Sequence, residues 1–295
     1  MITKDQEAVR LIVRTREDFQ KIRKAINNRL GLKKVKLVGK AGEERLVYEM
    51  QNIEKRDFKE DDRENLIYLS LQAMLDERKA EKVLTTVLKR FKVYNEFLNT
   101  PKAPGCGDIV SGWMLAEYDI DIVSTVSKMW QFSGLNPGLI FGKKSVKKKE
   151  YKESMGEVVG TLPKAKDGSE RLIVLTRELV RGDRPTPGFL LPYNANLKRV
   201  LMGILPDAMI KGQGLYVKNY YYPMKTRLAN SDREVMHLKK MVPWKNVSDG
   251  HRDFAAKRYM VKMFVLDFQV AWRTAEGLPV RKPYAEEYLG KRHNI

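Results

Sequence analysis

The sequence predicts a mainly α-helical fold built around a helix-hairpin-helix module, with a small β-containing insert. Three patterns predict it. Apolar residues recur at helical spacing over residues 6–30 and 63–98, and the same spacing returns over Asp249–Ala275. Between them lies a glycine- and proline-rich middle whose clearest strand-like run is 171–176.

Over 6–30, Val9, Ile12, Val13, Phe19, Ile22, Ile26 and Leu30 fall on one helical face, and Gly31 offers a left-handed cap. Residues 33–48 are less periodic, and Gly39, Ala41 and Gly42 suit either a loop or a short hairpin. From 63 to 98 the helical pattern returns through Leu66, Leu69, Met74, Val83, Leu84, Leu88, Phe91, Tyr94 and Leu98, and residues 100–104 break it. Residues 142–192 read as an irregular insert with some β structure. Its first stretch, 142–152, holds six lysines and reads as mobile. Helix resumes over 194–210 and again over 216–228, where Pro223 should bend it. The last helix carries an inner stripe of Phe254, Val261, Phe264, Val265, Phe268 and Trp272. Four segments follow: a helical region over 1–99, the helix-hairpin-helix over 100–141, the basic insert over 142–193, and a basic helical region over 194–295.

The chain carries 56 Lys plus Arg against 37 Asp plus Glu among its 295 residues, a formal charge of +19. The excess is concentrated late: 19 basic against 9 acidic residues over 194–295, and 12 against 7 over 143–184. Such an excess favours a polyanionic partner over a merely well-solvated surface. Its apolar runs are far shorter than the roughly 20 residues of a membrane span, and its first residues do not read as a targeting segment. Cys106 is the only cysteine, and His237, His251 and His293 are the only histidines, so neither a disulfide framework nor a zinc finger is expected. A cytoplasmic protein with no membrane partner, metal or cofactor is the expectation.

The sharpest local signal is Pro104-Gly105-Cys106-Gly107, between the helix ending near Leu98 and one beginning near Asp108. A glycine-bounded turn of this kind aims backbone N–H groups at a phosphate, with the helix N-terminus adding partial positive charge. An ordinary tight turn between core helices fits the same residues equally well. Arg258 and Lys262, one turn apart on the last helix, repel each other unless an anion lies nearby. Tyr216, Tyr220, Tyr221 and Tyr222 suit packing better than base stacking. Gly138 to Ser145 resembles a phosphate-binding loop but has the wrong spacing, and Asp119, Asp121 and Asp267 lack the strand-rich setting of a metal nuclease.

Beyond the turn itself, Gly112-Trp-Met-Leu-Ala-Glu117, Asp119-Ile120 and Gly134-Leu-Asn-Pro137 complete a block. It resembles the C-terminal domain of the bridge-RNA-guided bacterial insertion-sequence transposases. The resemblance covers most of 6–138 and, more loosely, 194–229; the helix bearing Arg14, Arg16, Asn28 and Arg29 looks like the arginine-rich helix that leads into that domain. It implies DNA binding through a helix-hairpin-helix. In that family a four-carboxylate nuclease-like domain precedes this helix and a serine acts as nucleophile. Neither is matched here: no carboxylate-bearing strand precedes the first helix, and the stretch aligned with the serine loop, Arg181-Gly-Asp-Arg-Pro-Thr-Pro-Gly188, places Arg181 at the serine position. Thr176, Thr186 and Ser145 are the nearby hydroxyls, and a hydroxyl without an activating base is a poor nucleophile.

The expected function is therefore that of a DNA-binding, transposase-like protein that grips duplex phosphates without cleaving DNA by itself. Lys102, Gly105 and Gly107 would make the hairpin contacts. Lys143, Lys144, Lys147, Lys148 and Lys149 would add electrostatic affinity, and Arg258 and Lys262 would extend the basic face. Two alternatives are a recombinase subunit completed by a nuclease-like partner and an RNA-binding assembly protein. The long first helix is also suited to homo-oligomer formation. No catalytic residue is assigned.

Overall fold

A computed structural model describes residues 3–40, 43, 45–50, 59–165, 167–237, 240–282, 287 and 290. The first helix, α1 (Lys4–Leu30), opens with a capping box: the Gln6 amide donates to Thr3 Oγ1 at 3.2 Å, and the Thr3 amide donates to Gln6 Oε1 at 3.0 Å. Gly31 closes it in the left-handed region at φ 67°. The segment that follows is a hairpin, β1 (Leu32–Val38) paired antiparallel with β2 (Arg45–Met50).

Helix α2 (Glu60–Leu88) packs along α1, and ion pairs from Arg16 and Arg23 converge on the buried Glu77 between them. The expected continuous helix to Leu98 is broken. The chain turns after Leu88 and re-forms as a π-helical turn, Tyr94–Leu98. Phe91, Val93, Tyr94, Phe97 and Leu98 are all buried, more apolar positions than one helical face can hide, and Asn95 Nδ2 donates to the carbonyls of Lys89 and Phe91 at 2.8 and 3.2 Å.

Two short helices follow, α3 (Asp108–Glu117) and α4 (Val126–Phe132). The insert forms a three-stranded antiparallel sheet, β3 (Leu139–Lys147), β4 (Glu157–Leu162) and β5 (Arg171–Arg181), in the order β3-β5-β4. The lysine-rich stretch expected to be mobile is thus largely strand, because β5 supplies it with a full antiparallel partner. The helix expected over 194–210 divides at Ile204 into α5 (Ala195–Gly203) and α6 (Leu205–Gly212), where Pro206 suits the first turn of the second piece. Pro223 likewise sits in the first turn of α7 (Tyr222–Ala229), after a π-helical turn over Val217–Tyr221. A small hairpin, β6 (Glu234–His237) and β7 (Lys240–Pro243), precedes α8 (Asp249–Ala275).

The main core cluster draws Val9 and Val13 from α1, Leu84 and Leu88 from α2, Trp113 to Ala116 from α3, Leu197 and Leu201 from α5, and Phe264, Val265, Phe268 and Trp272 from α8. Helix α3 lies at its centre, with Val110 to Ala116 all buried. Burial of each large side chain here contributes about 2 kcal/mol. Four residues assigned to inner faces are exposed instead: Ile22, Leu69, Val83 and Phe254. Tyr216 and Tyr221 pack inside, while Tyr222 is exposed. Among the described residues, no helix is long and apolar enough to cross a membrane.

Candidate nucleic-acid interface

The turn that leads into α3 is held from within. Thr100 Oγ1 donates to the Phe97 carbonyl at 2.7 Å, the Ala103 amide to Thr100 O at 3.1 Å, and the Cys106 amide to Ala103 O at 3.1 Å. The Cys106 side chain is buried, and burial pushes its thiol up to about 12, so it is an inert packing residue at neutral pH. Gly105 has φ +80°, and a Cβ there would lie 2.7 Å from the Met209 amide nitrogen and 2.8 Å from the Ala208 carbonyl carbon. Only glycine lets α6 approach this closely.

Gly107 differs. It is the N-cap of α3 in ordinary extended geometry, with no atom within 4 Å of its missing Cβ. No side chain caps the helix there. The backbone of both glycines is exposed, and the first-turn amides after Gly107 have no intrahelical acceptor. The Asp108 carboxylate instead accepts hydrogen bonds from Thr85 and from Tyr94, the latter at 2.7 Å.

This edge opens into a concavity of about 540 Å³, whose lining includes Gly105, Gly107, Arg78, Lys82, Glu81 and Asp108. The sequence points to Lys102 as the cation of this turn. That residue is exposed on the turn but does not line the concavity; Arg78 and Lys82 from α2 do. Their i,i+4 like-charge spacing was the available signal, identical in kind to Arg258/Lys262.

The lysines of β3 and the short 3₁₀ turn after it are mostly paired. Lys144 meets Glu178, Lys147 meets Asp167 at 3.7 Å, and Lys148 meets Glu170 at 2.7 Å. Lys143 and Lys149 are exposed with no carboxylate in ion-pair reach among the described residues. An expected field of five lysines therefore reduces to two unpaired charges. In the arginine-bearing first helix, Arg16 is held by Glu77 and Glu81, and Arg14 reaches Glu117 at 3.4 Å.

Arg258 and Lys262 do not form an open basic face. Helix α8 packs Arg258 against the turn after β5 and Lys262 against Trp130 of α4. At the centre is Asp183, 7% exposed. Arg181 grips it through two hydrogen bonds of 2.9 and 3.1 Å, Arg258 reaches it at 3.3 Å, and Lys198 donates to its main-chain carbonyl. Burial pushes the Asp183 carboxyl upward, but hydrogen bonding from Arg181 and the charges of Arg258, Arg181 and Lys198 outweigh it and hold the group below its ordinary range.

Lys262 has its ammonium 4.2 Å from the centroid of the Trp130 ring, and Lys198 sits 4.2 Å from that of Tyr193. Burial, with Arg258 adding repulsion, lowers the Lys262 amine to about 8. Burial also lowers Lys198 and Arg258, against the pull of Asp183.

Thr176 is buried and donates to the Gly142 carbonyl at 3.0 Å, and Ser145 lies in β3. No group of three or more His, Cys, Asp or Glu side chains fit to hold a metal occurs among the described residues. The arrangement is suited to holding anions. Compared with protein-family models, curated proteins and solved structures, the chain finds no significant match.

Proposed function

We propose that the protein binds duplex DNA through its phosphate backbone, with the turn before α3 and its flanking helical pieces acting as a helix-hairpin-helix of the transposase type. The observation that carries this reading is the uncapped N-terminus of α3. It opens beside Gly105 and Gly107 into a concavity shared with Arg78 and Lys82. The formal charge of +19 supplies the long-range attraction. Asp108 and Glu81 at the same edge temper the field, which suits a loose, sequence-independent grip better than tight recognition.

Fluorescence anisotropy with a labelled duplex tests the reading. Affinity falls by roughly 10³ or more between 50 and 200 mM salt, as six or more phosphate contacts require. Replacing both Arg78 and Lys82 with Gln lowers the salt slope by about 2. A flat salt response removes the proposal, and preference for single-stranded RNA in competition moves it to RNA. Nicking of supercoiled DNA by the chain with Mg²⁺ would replace binding with catalysis.

A further inference from the structure

Charge compensation at the seam between α8, α5 and the end of β5 is incomplete. Four cations lie at the seam: Arg181, Lys198 and Arg258 act on one acidic residue, Asp183, and Lys262 adjoins Arg258 one turn along α8. Asp183 engages three of them. Lys262 is left over: the nearest charge acting on it is Arg258, one turn away, and no carboxylate lies in ion-pair reach among the described residues. A half-buried ammonium beside a guanidinium, with no counter-charge, is destabilising where an apolar side chain over Trp130 would be neutral. The Trp130 ring face offsets part of that cost but supplies no counter-charge.

We propose that Arg181, Lys198, Arg258 and Lys262 form a phosphate-binding site, separate from the α3 turn, that receives a backbone phosphate of the bound strand. The strand assignment rests on the DNA-binding reading above; the anion site itself does not. The chemistry favours phosphate over a smaller anion. Two guanidinium groups present planar sets of donors to several oxygens at once, and two ammonium groups supply point charge. Arg181 keeps its side chain 38% exposed, so the cluster is open to an incoming group at that edge. Asp183 orients the two guanidinium groups and leaves net positive charge over.

Inorganic phosphate is the first probe, against chloride at equal ionic strength. Phosphate at tenfold over its dissociation constant raises the unfolding midpoint of the full chain by about 2 °C. Lys262→Met removes that rise without lowering the midpoint in chloride, while Lys92→Met, an exposed lysine elsewhere, keeps it. Arg181→Gln, at the solvent edge, weakens the rise and serves if Lys262→Met does not fold.

Calorimetry at pH 8 in buffers of different ionisation enthalpy adds a readout that packing would not move. Phosphate binding draws a proton onto Lys262 in the wild type and none in Lys262→Met. Among the described residues the charged group acting on that amine is Arg258 on α8, and Arg258 itself faces Asp183 and Arg181 at the end of β5, Lys198 on α5 and His251 on its own helix. A phosphate response equal to that of chloride, or one retained in both variants, overturns the anion site. A response lost in Lys262→Met while the DNA salt slope stays unchanged overturns the strand assignment and leaves free phosphate as the ligand.

Discussion

Two cationic regions of the molecule have similar composition and opposite character. On β3 and the turn after it, Lys144, Lys147 and Lys148 each face one carboxylate across the sheet or its loops. At the seam of α8, three cations share Asp183, and a fourth, Lys262, adjoins one of them, Arg258. The first region is exposed and nearly balanced, so its pairs contribute little to stability and project little net field. The second is half-buried and unbalanced, so each charge there is strongly coupled to the fold. Counting lysines along the chain ranks the regions in the wrong order; the placement of carboxylates decides.

The largest test removes the one carboxylate of the seam. Asp183→Asn leaves three cations uncompensated and lowers stability by about 3 kcal/mol in urea unfolding. Inorganic phosphate restores more of the loss than it adds to the wild type. If the variant unfolds like the wild type, the seam is no more coupled than the sheet surface.

The next test is pH. The folded pKa of Lys262, about 8, lies below the unfolded lysine value, so between the two the unfolded chain binds more protons. Stability therefore rises as pH increases through about 8 toward the unfolded value, by about 2 kcal/mol, and Lys262→Met flattens that rise. The depressed Asp183 carboxyl acts at the other end: its contribution is present above the ordinary carboxylate pKa and is lost as pH falls through its lower folded value. Denaturant midpoints across pH 3 to 10 for the two variants separate these arms.

Smaller effects define the sheet. Replacing Lys144, Lys147 and Lys148 together with Gln lowers the DNA salt slope by less than about 1, where three independent phosphate contacts would remove about 2.7. A drop near that larger value would show that the lysines leave their carboxylates for DNA. Glu170→Gln, which removes the exposed partner of Lys148, produces no measurable shift of the thermal midpoint.

Much of the helical frame was legible because its signals are local. The span of α8 matches its pattern from Asp249 to Ala275, and Gly31 closes α1 where the sequence places a cap. The choice between loop and hairpin after α1 was not legible, since Gly39 and Gly42 suit both and strand pairing is a contact between separate segments. The break after Leu88 was hidden because Phe91, Tyr94 and Leu98 keep helical spacing across it. At the candidate site the glycine turn was visible, but Arg78 and Lys82 belong to α2 and join it only once α2 lies against α3.

By itself the sequence determined where most helices run, that the middle carries strand, and that the chain has far more cations than anions, because periodicity and composition need no partner. Only the tertiary structure decided which cations remain uncompensated. Coulomb interaction depends on distance through space: Asp183 and Arg258, far apart in the chain, lie 3.3 Å apart across the seam, while Lys262, one turn from Arg258, faces no carboxylate among the described residues.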